Sequence, residues 1–320
     1  MKKILLLDEG KLRLADVPRP ELHDDEVEIQ VVAIGVNYAD VKIRFGYYSD
    51  KSRRNPEMGC EVCGVITRKG RDAHRFALGE RVFAVSHWGG GYAEYVVVPE
   101  YTVFRLPVYL SFEQGAAFPV TAQTAYHLVH TVARVERGET VLVHAAAGGV
   151  GTMLVQLCAL QGACVIALSS CDWKLERVKR LGASFTLKYS EPIVEHVRHF
   201  TKGEGVHAIF DGNGGTFFPH NFEMLALRGR AVLFGNTAGD LPPLNPYQLV
   251  YASHQLLGFS MRAITAEPDR YHAAYQWILE QLESGNLNIE IGHRLKLSDA
   301  DEAHRLLMAR ENYGKIVLLT

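Results

Sequence analysis

Apolar and polar positions alternate in short stretches along the first third of the chain and change to longer periods near residue 115. Before that point, β-type runs broken by Gly and Pro predict strands over residues 27–33, 59–67, 81–86 and 91–98, an antiparallel, barrel-like set. After it, the spacing predicts a helix over 122–132 and a buried strand over 140–145, with further strands over 164–169, 206–211, 231–235 and 255–260. Strands separated by helix-length segments imply right-handed βαβ crossovers and a parallel, doubly wound sheet. Beyond Arg262 the pattern predicts a long amphipathic helix over 270–284, a strand around 289–297, a last helix capped by Ser298 with Asp301 three residues on, and a final strand over 314–319. The expected fold is α/β: a parallel-sheet domain, residues 119–261, inserted between the two parts of a β-rich domain, residues 1–118 and 262–320.

Composition narrows the function classes. The 320 residues are 48% hydrophobic and 22% charged, ordinary values for a two-domain globular protein with a sizeable core. With 34 basic against 36 acidic residues and no dense Lys/Arg run, a nucleic-acid partner is not expected. The apolar start is too short for a signal-peptide core, and no apolar run approaches the ~20 residues of a bilayer span, so no membrane partner is expected. Five cysteines at 60, 63, 158, 164 and 171 do not form a spaced disulfide framework, which points to a reducing, cytoplasmic location.

The chemistry concentrates at one turn. Thr140-Val-Leu-Val-His144, Ala145-Ala-Ala147-Gly148-Gly149-Val150-Gly151 and the apolar run 153–160 read as strand, Gly-rich turn and helix. Such a turn presents backbone N–H groups and a positive helix end to a pyrophosphate. Gly148 lets the backbone approach the phosphates, and Gly151 lets the helix pack on the strand.

Ala145-Ala-Ala-Gly-Gly-Val-Gly151 resembles the signature of the zinc-free quinone oxidoreductases, the zeta-crystallin-like family of the medium-chain dehydrogenase/reductase superfamily. Further matches follow in the family's order: Gly35-Val-Asn37-Tyr-Ala-Asp40, Gly59-Cys-Glu61-Val-Cys-Gly64, Gly79-Glu-Arg-Val82, Gly91-Tyr-Ala-Glu-Tyr95, Leu181-Gly-Ala183, Phe234-Gly-Asn236-Thr237 and Gly314-Lys315-Ile-Val317. The resemblance implies a Rossmann sheet inserted into a GroES-like barrel domain.

NADPH is the expected cofactor. The second strand of the sheet ends in Ser169-Ser170 where an NAD site carries an acid for the ribose, and the resemblance makes Lys174 the 2′-phosphate partner, with Tyr189 against the adenosine end. Asp172 is an acidic alternative for the ribose, and Lys174 is also readable as one solvated lysine on a basic helix face. The resemblance adds Thr121, Thr124, Asn213, Gly235, Asn236, Phe259 and Lys315 as cofactor contacts. The threonines are equally readable as core residues. No metal is expected: zinc-dependent relatives carry Cys and His at the positions of Asn37 and Cys60, and the Cys60/Cys63 pair reads as part of a buried strand.

By the same resemblance Asn37, Lys42 and Tyr48 face the nicotinamide side. Asn37 has both donor and acceptor capacity to orient an oxygen, or is a turn-forming residue. Lys42 replaces a family tyrosine and could stabilise oxyanion charge, while Tyr48 could stack on a flat acceptor or serve as packing. The expected activity is hydride transfer from NADPH to a quinone or similar electron-poor small molecule. An enoyl or alkenal reductase and a non-catalytic, nicotinamide-bound sensor or structural protein are the alternatives. A homodimer is expected through the edge strand Gln255-Leu-Leu-Gly-Phe-Ser260.

Overall fold

The chain opens with a hairpin, β1 (Lys2–Leu6) and β2 (Leu12–Asp16), which turns at Gly10 with φ +74°. A computed structural model describes residues 1–47, 57–86 and 89–320 of the protein. In β3 (Glu26–Val36), Val27, Ile29 and Val31 stand at alternate positions and are all buried, each contributing about 1.5–3 kcal/mol by removal from water. α1 (Tyr38–Arg44) follows, then β4 (Glu61–Lys69), β5 (Arg81–Val85), β6 (Tyr95–Pro99) and β7 (Val103–Arg105). α2 (Phe112–Ala117) starts at a capping box in which the Ser111 hydroxyl accepts from Gln114 N at 3.1 Å and Gln114 Oε1 accepts from Ser111 N at 3.0 Å.

α3 (Pro119–Tyr126) leads into the second compact unit, Thr121–Asn288. The expected α-helix over 122–132 widens into a π-helix at His127–Ala133, where His127 bonds Gln123 and Thr131, and ends on left-handed Arg134. Strands and helices then alternate: β8 (Thr140–Val143), α4 (Gly149–Leu160), β9 (Cys164–Ser169), α5 (Asp172–Arg180), β10 (Phe185–Lys188), α6 (Ile193–Phe200), β11 (Val206–Asp211), α7 (Asn221–Met224), β12 (Leu225–Leu233), α8 (Tyr247–Tyr251), β13 (Gln255–Gly258), α9 (Met261–Thr265) and α10 (Pro268–Glu283). Among the described residues the sheet order is β10-β9-β8-β11-β12-β13, every pair parallel. The order reverses between β8 and β11, the switch point at whose carboxyl edge open α/β sheets bind ligands.

The chain returns to the first unit, Met1–Val120 with Ile289–Thr320, through β14 (Ile291–Lys296), α11 (Ala300–Met308) and β15 (Lys315–Leu319). There the path β14-β15-β3-β4-β5-β7, with β6 also on β3, closes around Ile29, Val62, Val82, Ile316 and Leu318. The architecture is a Rossmann-type α/β unit together with a β-rich GroES-like unit.

Three expectations are corrected. The second unit reaches Asn288 rather than residue 261, because α10 buries Tyr271, Tyr275 and Ile278 and its Tyr271 carbonyl accepts from Gln123 Nε2 on α3 at 2.9 Å. β12 begins at Leu225, six residues before the expected 231, since its early part pairs with β11 across a bulge. Asp299 stands at the N-cap of α11, because residues 297–299 make a 3-10 turn and the Ser298 hydroxyl bonds Asp299 Oδ1 instead.

Candidate functional site

In the second unit the Gly-rich segment is a turn between β8 and α4. Ala145 takes φ +47°, a left-handed conformation that costs a side-chain-bearing residue about 1–2 kcal/mol. A Cβ on Gly151 would lie 2.2 Å from the Ala145 carbonyl oxygen, so only glycine lets α4 seat this close to the strand end. At Gly148 a Cβ would meet only that same oxygen at 3.3 Å, which leaves its outer face open. Ala147 is buried, and Gly148, Gly149 and Val150 are half-buried at the start of α4. The cradle fits a pyrophosphate: open glycine backbone at the N-terminus of a 12-residue helix.

A buried polar chain holds the turn. Asp211, at the end of β11, accepts from the backbone N–H of Asn213 and Gly214 through Oδ1 and from Asn221 Nδ2 at 2.8 Å through Oδ2. That leaves Asn221 Oδ1 facing His144 Nε2 at 2.9 Å, so His144 donates there and accepts at Nδ1. The Tyr189 hydroxyl, 3.2 Å from Nδ1, donates to it while accepting from Ala145 N and Asn213 Nδ2, both at 2.9 Å. Tyr189 thus anchors the strained Ala145. Asn213 Oδ1 also accepts from Thr237, which ties the turn to the loop carrying Gly235 and exposed Asn236. A Cβ on Gly235 would lie 2.5 Å from the Gly212 oxygen, a second close backbone approach at this edge.

The nucleotide-specificity residues lie at the end of β9. Ser169 is buried and Ser170 exposed, and Lys174 is only 5% exposed, with its ammonium 5.5 Å from the Trp173 ring centre. The solvated-face alternative for Lys174 is overturned by that burial. Asp172 is engaged with Lys188 Nζ at 2.9 Å. Thr121 and Thr124 are both buried on α3, and Phe259 is half-buried, its ring stacked over His127 at 6.5 Å between centres.

In the first unit, strand register assembles a second cluster. β15 lies beside β3 with Ile316 opposite Val36, and β3 lies beside β4 with Gly35 opposite Glu61. Lys315, Asn37 and Glu61 therefore meet. The Lys315 ammonium donates to Val36 O at 2.9 Å, Asn37 Oδ1 at 2.8 Å and Glu61 Oε1 at 2.5 Å. Asn37 Nδ2 donates to Glu61 Oε1 at 2.8 Å and is 3.4 Å from Cys60 Sγ, and Glu61 Oε2 accepts from Val120 N at 2.8 Å. Gly35 makes room, since a Cβ there would lie 2.5 Å from Glu61 Oε1. All three Lys315 protons have acceptors inside this unit.

Asn37 is also the N-cap of α1, its N–H donating to Asp40 Oδ2 at 2.8 Å. Asp40 is fully buried, and burial pushes its carboxyl up to about 6 against the pull of the Gly59 and Asn37 N–H groups. Tyr92 bridges Asp40 to His304, whose imidazole burial lowers to about 4. Lys42 is half-buried on α1, and Tyr48 lies outside the described residues. Burial raises the Cys60 thiol well above its usual range, and Cys63 is turned to Val82 O on β5. Among the described residues no group of three His, Cys, Asp or Glu side chains is placed to hold a metal ion, and no helix is long and apolar enough to cross a membrane. All five cysteines are free.

His144, Asn221, Asp211 and Glu61 were not singled out as site residues by sequence. Only Glu61, a carboxylate at the head of the apolar run 62–66, gave a signal.

The family model for the alcohol dehydrogenase GroES-like domain matches residues 23–108, and that for the zinc-binding dehydrogenases matches residues 149–280. The human quinone oxidoreductase is 32% identical over 312 residues, covering 97% of this chain and 93% of the human protein. A mycobacterial structure complexed with NADPH matches with a TM-score of 0.93 at 34% identity over the whole of both chains. The Escherichia coli quinone oxidoreductase complexed with NADPH gives 0.92 at 25% identity, covering 100% of this chain and 99% of that one. The chain belongs to the quinone oxidoreductase family of the zinc-independent medium-chain dehydrogenases/reductases.

Proposed function

We propose that the protein is an NADPH-dependent reductase acting on a small electron-poor acceptor, a quinone or the β-carbon of an α,β-unsaturated carbonyl. The observation that carries this reading is a glycine-lined phosphate cradle beside a strand end that offers Ser169, Ser170 and a buried lysine, Lys174, in place of an acid. When bound, the dinucleotide supplies the hydride. The backbone of Ala147–Gly151 and the positive end of α4 hold the pyrophosphate, while Lys174 pairs with the 2′-phosphate. Tyr189 and Asn213 fix the turn, and Thr121, Thr124, Gly235, Asn236 and Phe259 are the remaining contacts assigned to the dinucleotide. Asn37 orients the reacting partner, Lys42 stabilises negative charge developing on the acceptor oxygen, and the resemblance also assigns Tyr48 to the acceptor. No metal takes part: the Glu61 carboxylate already holds an internal cation, Lys315.

A panel of quinones and enones tested with NADPH and with NADH, followed at the nicotinamide absorbance with product masses, checks this assignment. NADPH oxidation with one acceptor class supports it, and the product mass separates quinone from C=C reduction. Cofactor binding without turnover on any acceptor overturns it in favour of a non-catalytic role.

The assembly is a homodimer. β13 lies at the edge of the parallel sheet with Leu256 exposed, and exposed Tyr247, Val250 and Tyr251 of α8 stand beside it in sequence, so a symmetric copy would cover an otherwise aggregation-prone edge. Light scattering giving the monomer mass of 35.7 kDa at low micromolar concentration refutes it. Five free thiols fit a cytoplasmic location, and the near-balanced charge fits the absence of a nucleic-acid partner.

A further inference from the structure

We infer that Lys315 is a positioning residue that acts through Asn37: an internal cation that, together with Glu61, locks the Asn37 side-chain amide in one orientation. The inference rests on the proposed role of Asn37 in orienting the reacting partner.

Donor and acceptor chemistry fixes the arrangement. An ammonium can only donate and a carboxylate can only accept. Asn37 Oδ1 must therefore face Lys315 Nζ, and Nδ2 must face Glu61 Oε1. A flipped amide would set N–H against the ammonium and oxygen against the carboxylate, with repulsion on both sides. The second Nδ2 proton is turned toward Cys60 Sγ and Gly35 O, at 3.4 and 3.5 Å. Both amide protons of Asn37 thus point inward. Asn37 also closes the capping box of α1 by facing the Asp40 N–H, so its amide is held in one orientation from every side.

The lock has anchors besides Asn37. Lys315 and Glu61 are 4% and 0% exposed and contact each other directly as well as through Asn37. Glu61 is further fixed by Val120 N and by the space that Gly35 leaves for it, and Lys315 by Val36 O. These anchors come from α3 and β3 while the two charged groups come from β4 and β15, so the amide is held between separate elements. In a low-dielectric interior such charge-assisted hydrogen bonds are short and directional, which suits them to holding one rotamer.

A double-mutant cycle on the full-length protein tests the assignment, using Asn37→Ala, Lys315→Met and the two combined, with NADPH and a 1,4-benzoquinone acceptor. Lys315→Met is expected to lower kcat about tenfold when Asn37 is present and less than about twofold when it is Ala, while the melting temperature falls in both backgrounds. An equal loss of kcat in both backgrounds would mean a purely structural lysine and overturns the inference. An Asn37→Ala variant with wild-type kcat instead removes the proposed role of Asn37, a separate failure. A readout independent of turnover is the hydrogen exchange of the Asn37 side-chain amide by NMR, expected to be protected in the wild type and released in Lys315→Met. Equal protection in the two proteins overturns the lock whatever the activity. If Lys315→Met does not fold, the charge-neutral Glu61→Gln/Lys315→Met pair carries the same exchange measurement.

Discussion

Two polar networks among the described residues bury charge differently. In the β-rich unit, Lys315 and Glu61 bury a full charge of each sign beside Asn37. In the nucleotide unit, a single buried carboxylate, Asp211, heads a chain that runs through Asn221 and His144 to the Tyr189 hydroxyl and ends on the Ala145 N–H. Removing one member of a buried ion pair strands the other charge, whereas each neutral hydrogen bond contributes only about 1 kcal/mol. The first network fixes one side chain rigidly. The second distributes support over a backbone loop that has to receive a ligand.

The largest expected effect breaks the ion pair. Lys315→Met should lower the unfolding free energy by about 3–5 kcal/mol, and adding Glu61→Gln should restore most of it, because the neutral pair leaves no stranded charge. Denaturant midpoints measure both, and a double variant no more stable than the single one would erase the contrast.

The next effect is in pH. His127 and His304 have pKa values lowered by burial to about 4, so between that value and their ordinary range the unfolded chain binds more protons and stability rises with pH. Asp40, raised by burial to about 6, works the other way: the native state holds its proton longer, and stability falls as pH rises through about 6. Two histidines outweigh one carboxyl, and a net gain of roughly 3 kcal/mol is expected between about pH 4.5 and 6.5. Substituting His304 by Phe should leave Asp40 alone in the β-rich unit, whose contribution then falls as pH rises, and substituting His127 should remove the rise contributed by the nucleotide unit. Thermal melts across this range that show no rise would contradict the assignment of both histidines as buried and neutral.

A smaller effect separates turn from specificity within the nucleotide unit. Lys174→Ala should weaken NADPH by about 1.5–3 kcal/mol and leave NADH little changed, whereas Tyr189→Phe should weaken both alike by about 1–2 kcal/mol, since it removes the acceptor for Ala145 N–H. Titration calorimetry distinguishes the two patterns, and an equal loss of both cofactors in Lys174→Ala would detach that lysine from the 2′-phosphate. The smallest effect is none at all. With Glu61 already paired to Lys315, the purified protein should carry no stoichiometric zinc by elemental analysis and keep its activity in chelator.

Local chemistry made much of the molecule legible in the sequence. The strands over 164–169 and 206–211 lie at the positions their apolar runs predict, because a buried parallel strand is a continuous hydrophobic run bounded by turn residues. The role of Gly151 was likewise readable, since the close approach that needs glycine lies within its own turn. Boundaries shifted where packing decides them: the π-helical end of the 122–132 helix, and α10, which its buried tyrosines assign to the nucleotide unit.

What the sequence determined, then, were features set within a few neighbouring residues: strand periods, the phosphate turn, and the Ser169-Ser170 end of β9. The tertiary structure decided which polar groups meet. Glu61 and Lys315 are 254 residues apart and become partners only because β15 and β4 flank β3 in one register. His144 and Asn221 meet, 77 residues apart, only because β8 and β11 are neighbours at the switch point of the sheet. Hydrogen bonds reach about 3 Å, and nothing in local spacing records which distant strands will come that close.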